Sequence, residues 1–127
     1  MTSTQISEFI NRCLRIQFEI YQKAQGVTLS YKRDYRETTD YKETMAAVLE
    51  IIKADILPRF TCISDRFDEL NQKNLFSEGY SYDFNDAILA EIAKKEKAFI
   101  LTDDGDFSNF AKKLNIITGN PLLLMMR

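Results

Sequence analysis

There is no histidine anywhere in the 127 residues. Imidazole is the commonest general base and the middle member of Ser-His-Asp triads. Both routes are therefore excluded, and any chemistry must rest on carboxylates, lysines, tyrosines or a metal ion. Cysteine is scarce as well: Cys13 and Cys62 form no CxxC pair and have no histidine to join them around zinc. Each lies in an apolar pattern and is expected to be a buried free thiol. Long apolar runs are missing, since Ala98 to Leu101 and Leu122 to Met126 fall well short of the roughly 20 residues of a membrane span. Met1 to Glu8 lack the basic start and apolar stretch of a secretory signal, so a soluble, cytoplasmic protein is the expectation. A basic surplus is absent too. The formal net charge of −2 argues against a protein that holds nucleic acid by bulk charge, though not against an enzyme that touches RNA briefly. No GxGxxG or GxxxxGK[ST] loop is present to cradle phosphates, which argues against a Rossmann-like nucleotide-binding domain.

What is present is an ordinary globular composition, 45% hydrophobic and 28% charged, which predicts a single domain over residues 1–127. From Thr4 to about Ala24, apolar residues recur at three- and four-residue steps behind a Ser3 or Thr4 cap, predicting a long amphipathic helix that ends near Gly26. Ser30 to Asp40 has no clean period and reads as an irregular connection. Thr39 or Asp40 caps a second helix to about Ile56, with Met45, Val48, Leu49 and Ile52 in one stripe before Pro58. A short strand is expected at Phe60 to Ile63, a short helix from Ser64 or Asp65 to Leu70, and the main loop from Asn71 to Ser81. Asp83 caps a third helix through Lys97, closed by Lys94, Lys95 and Lys97. Ala98 to Thr102 is continuously apolar, as a buried parallel strand would be. A one- or two-turn helix, Phe107 to Lys113, and a strand, Asn115 to Thr118, complete the order. That alternation is the signature of an α/β protein with parallel connections, whose ligands sit at the carboxyl ends of strands.

The most informative segment runs from Asp83 to Phe107. It places Asp86 in the first turn of a helix and Asp103, Asp104 and Asp106 just past the following strand. A helix of about 11 residues beyond Asp86 is roughly 16 Å long, and a strand returning antiparallel to it brings Asp104 back towards Asp86. Magnesium and manganese take oxygen ligands and keep several waters, so two to four convergent carboxylates suffice for a site without histidine. Taken singly, each residue also has a plain structural role. Asp86 fits the N3 partner of a capping arrangement with Asp83, Asp103 and Asp106 fit turn residues, and Glu8 fits an i,i+4 pair with Arg12.

Taken together, the acids resemble those of the PIN domain family of ribonucleases. One acid opens a helix in Asp86-Ala87-Ile88-Leu89-Ala90, and another follows a strand in Thr102-Asp103-Asp104-Gly105-Asp106-Phe107, eighteen residues later. Near the start, Ser3-Thr4-Gln5-Ile6-Ser7-Glu8 is similar to the context of the family's second acid, which falls on Glu8. The resemblance implies a three-layer α/β/α sandwich with a mostly parallel sheet. It implies an endoribonuclease dependent on Mg2+ or Mn2+, with Glu8, Asp86 and Asp104 as metal ligands and Asp106 assisting. It further implies RNA as substrate and, for the many family members that are toxins, a cognate antitoxin protein as partner. The family's domains begin with a strand ending in a first aspartate, then a helix, ahead of the segment similar to Met1 onwards. Neither is present, so the expected fold is N-terminally truncated. A chain whose start is missing is the favoured reason; a segment supplied by a partner or second copy, or a sheet closed up around an incomplete site, are the others. Exposed strand edges invite such pairing, which makes a homo-oligomer an expectation. Arg12 and Arg15, one turn beyond Glu8, are candidates for gripping RNA phosphates, and Lys32, Arg33 and Arg36 alternate with Tyr31 and Tyr35 in a stretch that reads equally as a solvated loop. The alternative function is a catalytically incomplete PIN-like domain serving as a binding or oligomerisation module.

Overall fold

The computed structural model describes residues 1–76 and 83–126. Of the described residues 62% are helical and 5% lie in strands. The chain divides into two compact units, Met1–Ser64 and Asp65–Arg127.

The first unit is built on two helices. Helix α1 spans Ser3–Gln25 and opens with a capping box: Thr2 Oγ1 accepts from Gln5 N at 3.4 Å, and Gln5 Oε1 accepts from Thr2 N at 2.8 Å. It ends at Gly26, whose φ of 63° is the left-handed cap that glycine adopts without a Cβ penalty. Helix α2, Thr39–Ile51, is capped by Thr38, which accepts from Tyr41 N at 3.1 Å. It continues into a widened π-type turn over Ile52–Ile56, where Leu57 N donates to Ile52 O, so the helical path reaches the predicted end. The core between the helices consists of Leu14 and Phe18 from α1 with Tyr31 and Tyr35 from the connection. The connection expected to be irregular is thus pinned from inside by two buried tyrosines. Tyr35 is fully buried, and its hydroxyl donates to Asp40 Oδ1 at 2.7 Å. Burial, reinforced by that carboxylate, pushes the phenol far above its ordinary pKa.

Phe60 to Ile63 forms no strand. Both apolar ends of the segment are exposed; Phe60 N still donates to Ile56 O at 3.1 Å, and beyond it Met1 N donates to Thr61 O at 2.8 Å and Ile63 N to Met1 O at 2.9 Å. Cys62 is exposed and Cys13 half-buried, so neither is the buried thiol expected.

In the second unit the predicted short helix shrinks to a single 3-10 turn, Phe67–Glu69, entered through Arg66 at φ 43°. A four-residue helix, α3 (Gln72–Leu75), occupies the start of the expected loop. Helix α4 spans Phe84–Glu96, capped by Asp83 as predicted, with Asp83 Oδ1 accepting from Asn85 N at 2.9 Å. Lys97 reverses the chain at φ 50° into strand β1, Phe99–Leu101. A 3-10 stretch, Gly105–Phe110, leads to β2, Asn115–Ile117, and a last short helix, α5, covers Pro121–Leu124. Strands β1 and β2 are parallel, with Phe99, Ile100 and Leu101 opposite Asn115, Ile116 and Ile117. Ala87, Ile88, Ala90 and Ile92 of α4 form one core with Phe107, Phe110 and Leu123, and Ile100 and Ile116 pack on it from the strands.

The three-layer sandwich is therefore incorrect. Parallel pairing after α4 is present, but the sheet has two strands among the described residues. Among the described residues, helices cover only the face that carries Ile100 and Ile116. On the other face Phe99 is 66% and Leu101 81% exposed, so β1 is not the doubly buried strand that its apolar sequence suggested. No described helix is long and apolar enough to cross a membrane.

Candidate functional site

Three acidic residues of the second unit, Asp103, Asp104 and Asp106, lie just past the carboxyl end of β1. Thr102 N donates to Ile117 O at 3.1 Å, so the two strands leave the sheet side by side. Asp103, Asp104 and Asp106 follow β1 in the chain, while Thr118, Gly119 and Asn120 follow β2. Asn120 knits the two loops: its Nδ2 donates to Asp103 O at 2.7 Å, its backbone N donates to Thr118 Oγ1 at 2.9 Å, and its Oδ1 accepts from Leu122 N at 2.9 Å to cap α5. The loops pass so close that a Cβ on Gly119 would stand 3.7 Å from Asp103 Oδ1.

Asp104 is held in a tight turn. Its backbone N donates to Thr102 Oγ1 at 3.1 Å, and its own Oδ1 accepts from Asp106 N at 2.9 Å, capping the 3-10 stretch. The Asp106 carbonyl accepts from Asn109 Nδ2 at 2.8 Å. Both carboxylates are exposed. Asp86 lies in the first turn of α4, partly buried, its N donating to Asp83 O at 3.1 Å. The neighbours of Asp86, Ala87 and Ile88, share one core with Phe107 and Phe110, which follow Asp106. Since β1 runs back from the Lys97 reversal, the start of α4 and the end of β1 belong to the same end of this unit.

The remaining candidates belong to the first unit. Glu8 and Arg12 are exposed on α1. Arg15 is spent internally: its guanidinium carbon lies 3.9 Å from the centroid of the Tyr31 ring, a cation–π contact. Tyr31 and Tyr35 are core residues, which removes them as platforms for stacked bases.

Aspartate and asparagine oxygens are hard donors suited to Mg2+ or Mn2+. On geometry, no group of three or more aspartate, glutamate or cysteine side chains among the described residues is arranged to hold a metal ion. An ion at this acidic end would depend on water and substrate phosphate for most of its shell.

Sequence reading missed two polar features. Asn120 was legible in principle, because Asn-Pro ahead of an apolar run is a cap followed by an N1 proline. Glu91 was not: it looks like one more charge on α4, yet it is 5% exposed. Asn74 Nδ2 donates to both of its carboxylate oxygens at 3.2 and 3.3 Å, and the Lys94 ammonium pairs with it. Beside it Lys95 pairs with Glu69, holding that carboxyl below the ordinary carboxylate range. These groups line an open recess of about 410 Å³. Each carboxylate there already has its cation, so the arrangement reads as a clasp between α3 and α4.

No protein-family model matches the chain, and neither curated proteins nor solved structures give a match.

Proposed function

We propose that the chain hydrolyses phosphodiester bonds in RNA with Mg2+ or Mn2+, in the manner of the PIN ribonucleases that its acidic motifs resemble. Asp86 and Asp104 are the principal ligands in this reading, Asp106 assists, and Glu8 is a further ligand. The observation that supports it is the placement of Asp104 and Asp106 in a hydrogen-bonded turn at the carboxyl end of a parallel strand, with Asp86 opening the helix that precedes that strand. A bound divalent ion would supply Lewis-acid activation of water and neutralise charge on the phosphate. The chain's own part is to fix where the carboxylates stand: Thr102 and the Asp106 amide orient Asp104, and Asn120 ties the two loops together. Exposure of Asp104 and Asp106 leaves them accessible to an RNA backbone. A cytoplasmic location and, for a toxin, an antitoxin partner go with this proposal.

A second reading is a binding or oligomerisation module without catalysis, favoured by the lack of a converged three-acid group among the described residues. One experiment separates the two. With millimolar manganese and a fluorogenic RNA, the nuclease reading expects cleavage that disappears in Asp104→Asn, together with a rise in melting temperature on adding the metal. No cleavage, no metal-induced shift and an Asp104→Asn variant indistinguishable from wild type would sink it.

A further inference from the structure

Helix α1 carries more apolar surface than its own unit uses. Of its 23 residues only Leu14 and Phe18 are buried, and Ile10 and Tyr21 flank them on the same face. A second apolar stripe runs along the helix at alternating three- and four-residue steps: Ile6, Phe9, Cys13, Ile16 and Ile20. At 100° per residue it lies more than a quarter-turn from the core direction. Ile16 is 49% and Ile20 53% exposed, Phe9 is exposed, and Ile6 and Cys13 are partly so. The spacing is that of a heptad seam, with Ile6, Cys13 and Ile20 at a positions and Phe9 and Ile16 at d positions. It extends roughly 21 Å at about 1.5 Å per residue.

The charges beside the seam say what covers it. Arg12 and Glu19, both exposed, occupy successive g positions. In an antiparallel pair g faces g of the partner. Setting Cys13 against the second copy's Ile16, and Phe9 against its Ile20, brings Arg12 beside the other Glu19 and Glu19 beside the other Arg12. The surface is self-complementary twice over. In a parallel pair g faces e, and Arg12 would meet Gln17 while Glu19 met Ala24, leaving both charges uncompensated.

We propose that α1 is the interface of an antiparallel homodimer, two copies packing their Ile6–Ile20 seams with reciprocal Arg12–Glu19 pairs. The proposal stands apart from the nuclease reading, since an inactive chain would dimerise equally. A seam this short is at the low end of interface size, below roughly 1,200 Å² of total buried surface, so association is weak and strongly concentration dependent.

Sedimentation velocity on the full chain over the micromolar to submillimolar range tests it. Wild type is expected to shift from monomer to dimer. Ile16→Asp should remain monomeric with unchanged helical circular dichroism. Arg12→Glu alone and Glu19→Arg alone, both at exposed positions that leave the core untouched, should each weaken association about tenfold or more, because each sets like charges against one another. Mixing these two variants should restore it as a heterodimer, since both reciprocal contacts are then attractive. A wild-type chain that stays monomeric throughout, charge variants that dimerise as well as wild type, or a mixture that fails to recover would each overturn the proposal. Efficient oxidation to a Cys13–Cys13 disulfide would overturn the antiparallel arrangement, which keeps those thiols apart.

Discussion

The two units solve the problem of a small core in different ways. The first packs a long helix on aromatic rings: Phe18 lies 5.0 Å from Tyr35 and 5.3 Å from Tyr31, centroid to centroid, and Tyr41 stands edge-on to Tyr35 at 5.6 Å. The second uses aliphatic side chains and small alanines between α4 and two short strands, with Phe107 and Phe110 as its only buried aromatics among the described residues. Polar atoms follow the same division. In the first unit the buried hydroxyl is spent on a neutral donor bonded to Asp40; in the second a buried carboxylate, Glu91, needs an amide and an ammonium to be tolerated. Ring edges and tyrosine hydroxyls let a core form from an irregular connection, whereas an aliphatic core needs regular elements around it.

The largest effects should come from emptying either core. Phe107→Ala is expected to cost about 3–5 kcal/mol and Leu14→Ala about 2–5 kcal/mol in chemical denaturation, with the loss of amide-exchange protection concentrated in the unit that carries the change. Loss spread evenly over both units would show that they do not hold their cores separately. Next comes the buried carboxylate. Asn74→Ala removes the amide from Glu91 and should cost about 1–3 kcal/mol, whereas removing the amide of exposed Asn109 should change stability by less than about 1 kcal/mol.

Tyr35→Phe is expected to cost about 1 kcal/mol by denaturant titration. Its pH dependence is more specific. The unfolded chain ionises tyrosine near pH ~10 while the folded phenol stays protonated to higher pH. The tyrosine's contribution is therefore intact below about pH 10 and lost as pH rises past it. The phenylalanine variant should lose less stability than wild type between neutral and strongly alkaline pH; equal losses would show that the buried hydroxyl is not the cause. Smallest and opposite in sign, Lys97→Gly relieves a left-handed cap at φ 50° and should stabilise the second unit by about 0.5 kcal/mol in thermal melts.

The long helices were the legible part; the short ones expected at 64–70 and 107–113 are 3-10 turns, at Phe67–Glu69 and Gly105–Phe110. The period of Thr4 to Ala24, the Gly26 stop and the Asp83 cap all carry local signals, and the structure follows them to within a residue or two. The strands were half legible. Within Ala98 to Thr102 the three residues Phe99–Leu101 do form a parallel strand, but apolar residues cannot by themselves report whether a second layer exists to bury them, and Leu101 faces outward. Phe60 to Ile63 failed for the same reason: strand formation is decided by a partner elsewhere in the chain. At the acidic end, Asp104 as a turn residue was readable from Thr102-Asp103-Asp104-Gly105-Asp106, whereas the role of Asn120 depends on a contact seventeen residues away in the chain. The burial of Glu91 was invisible because charge on a helix face ordinarily means water.

The parallel pairing of β1 with β2 also sets an order of events. Only the thirteen residues 102–114 separate the paired strands, and α4 joins β1 through just two residues, Lys97 and Ala98. Closing a loop of that length costs little chain entropy, and the cost grows only slowly with length. The α4–β1–β2 segment is thus the inexpensive nucleus of its unit. Leu70 and Leu75 belong to a 3-10 turn and a four-residue helix too short to form without packing, so their docking onto α4 comes later. Substitutions at Ile100 or Ile116 should consequently slow refolding, while those at Leu70 should mainly hasten unfolding.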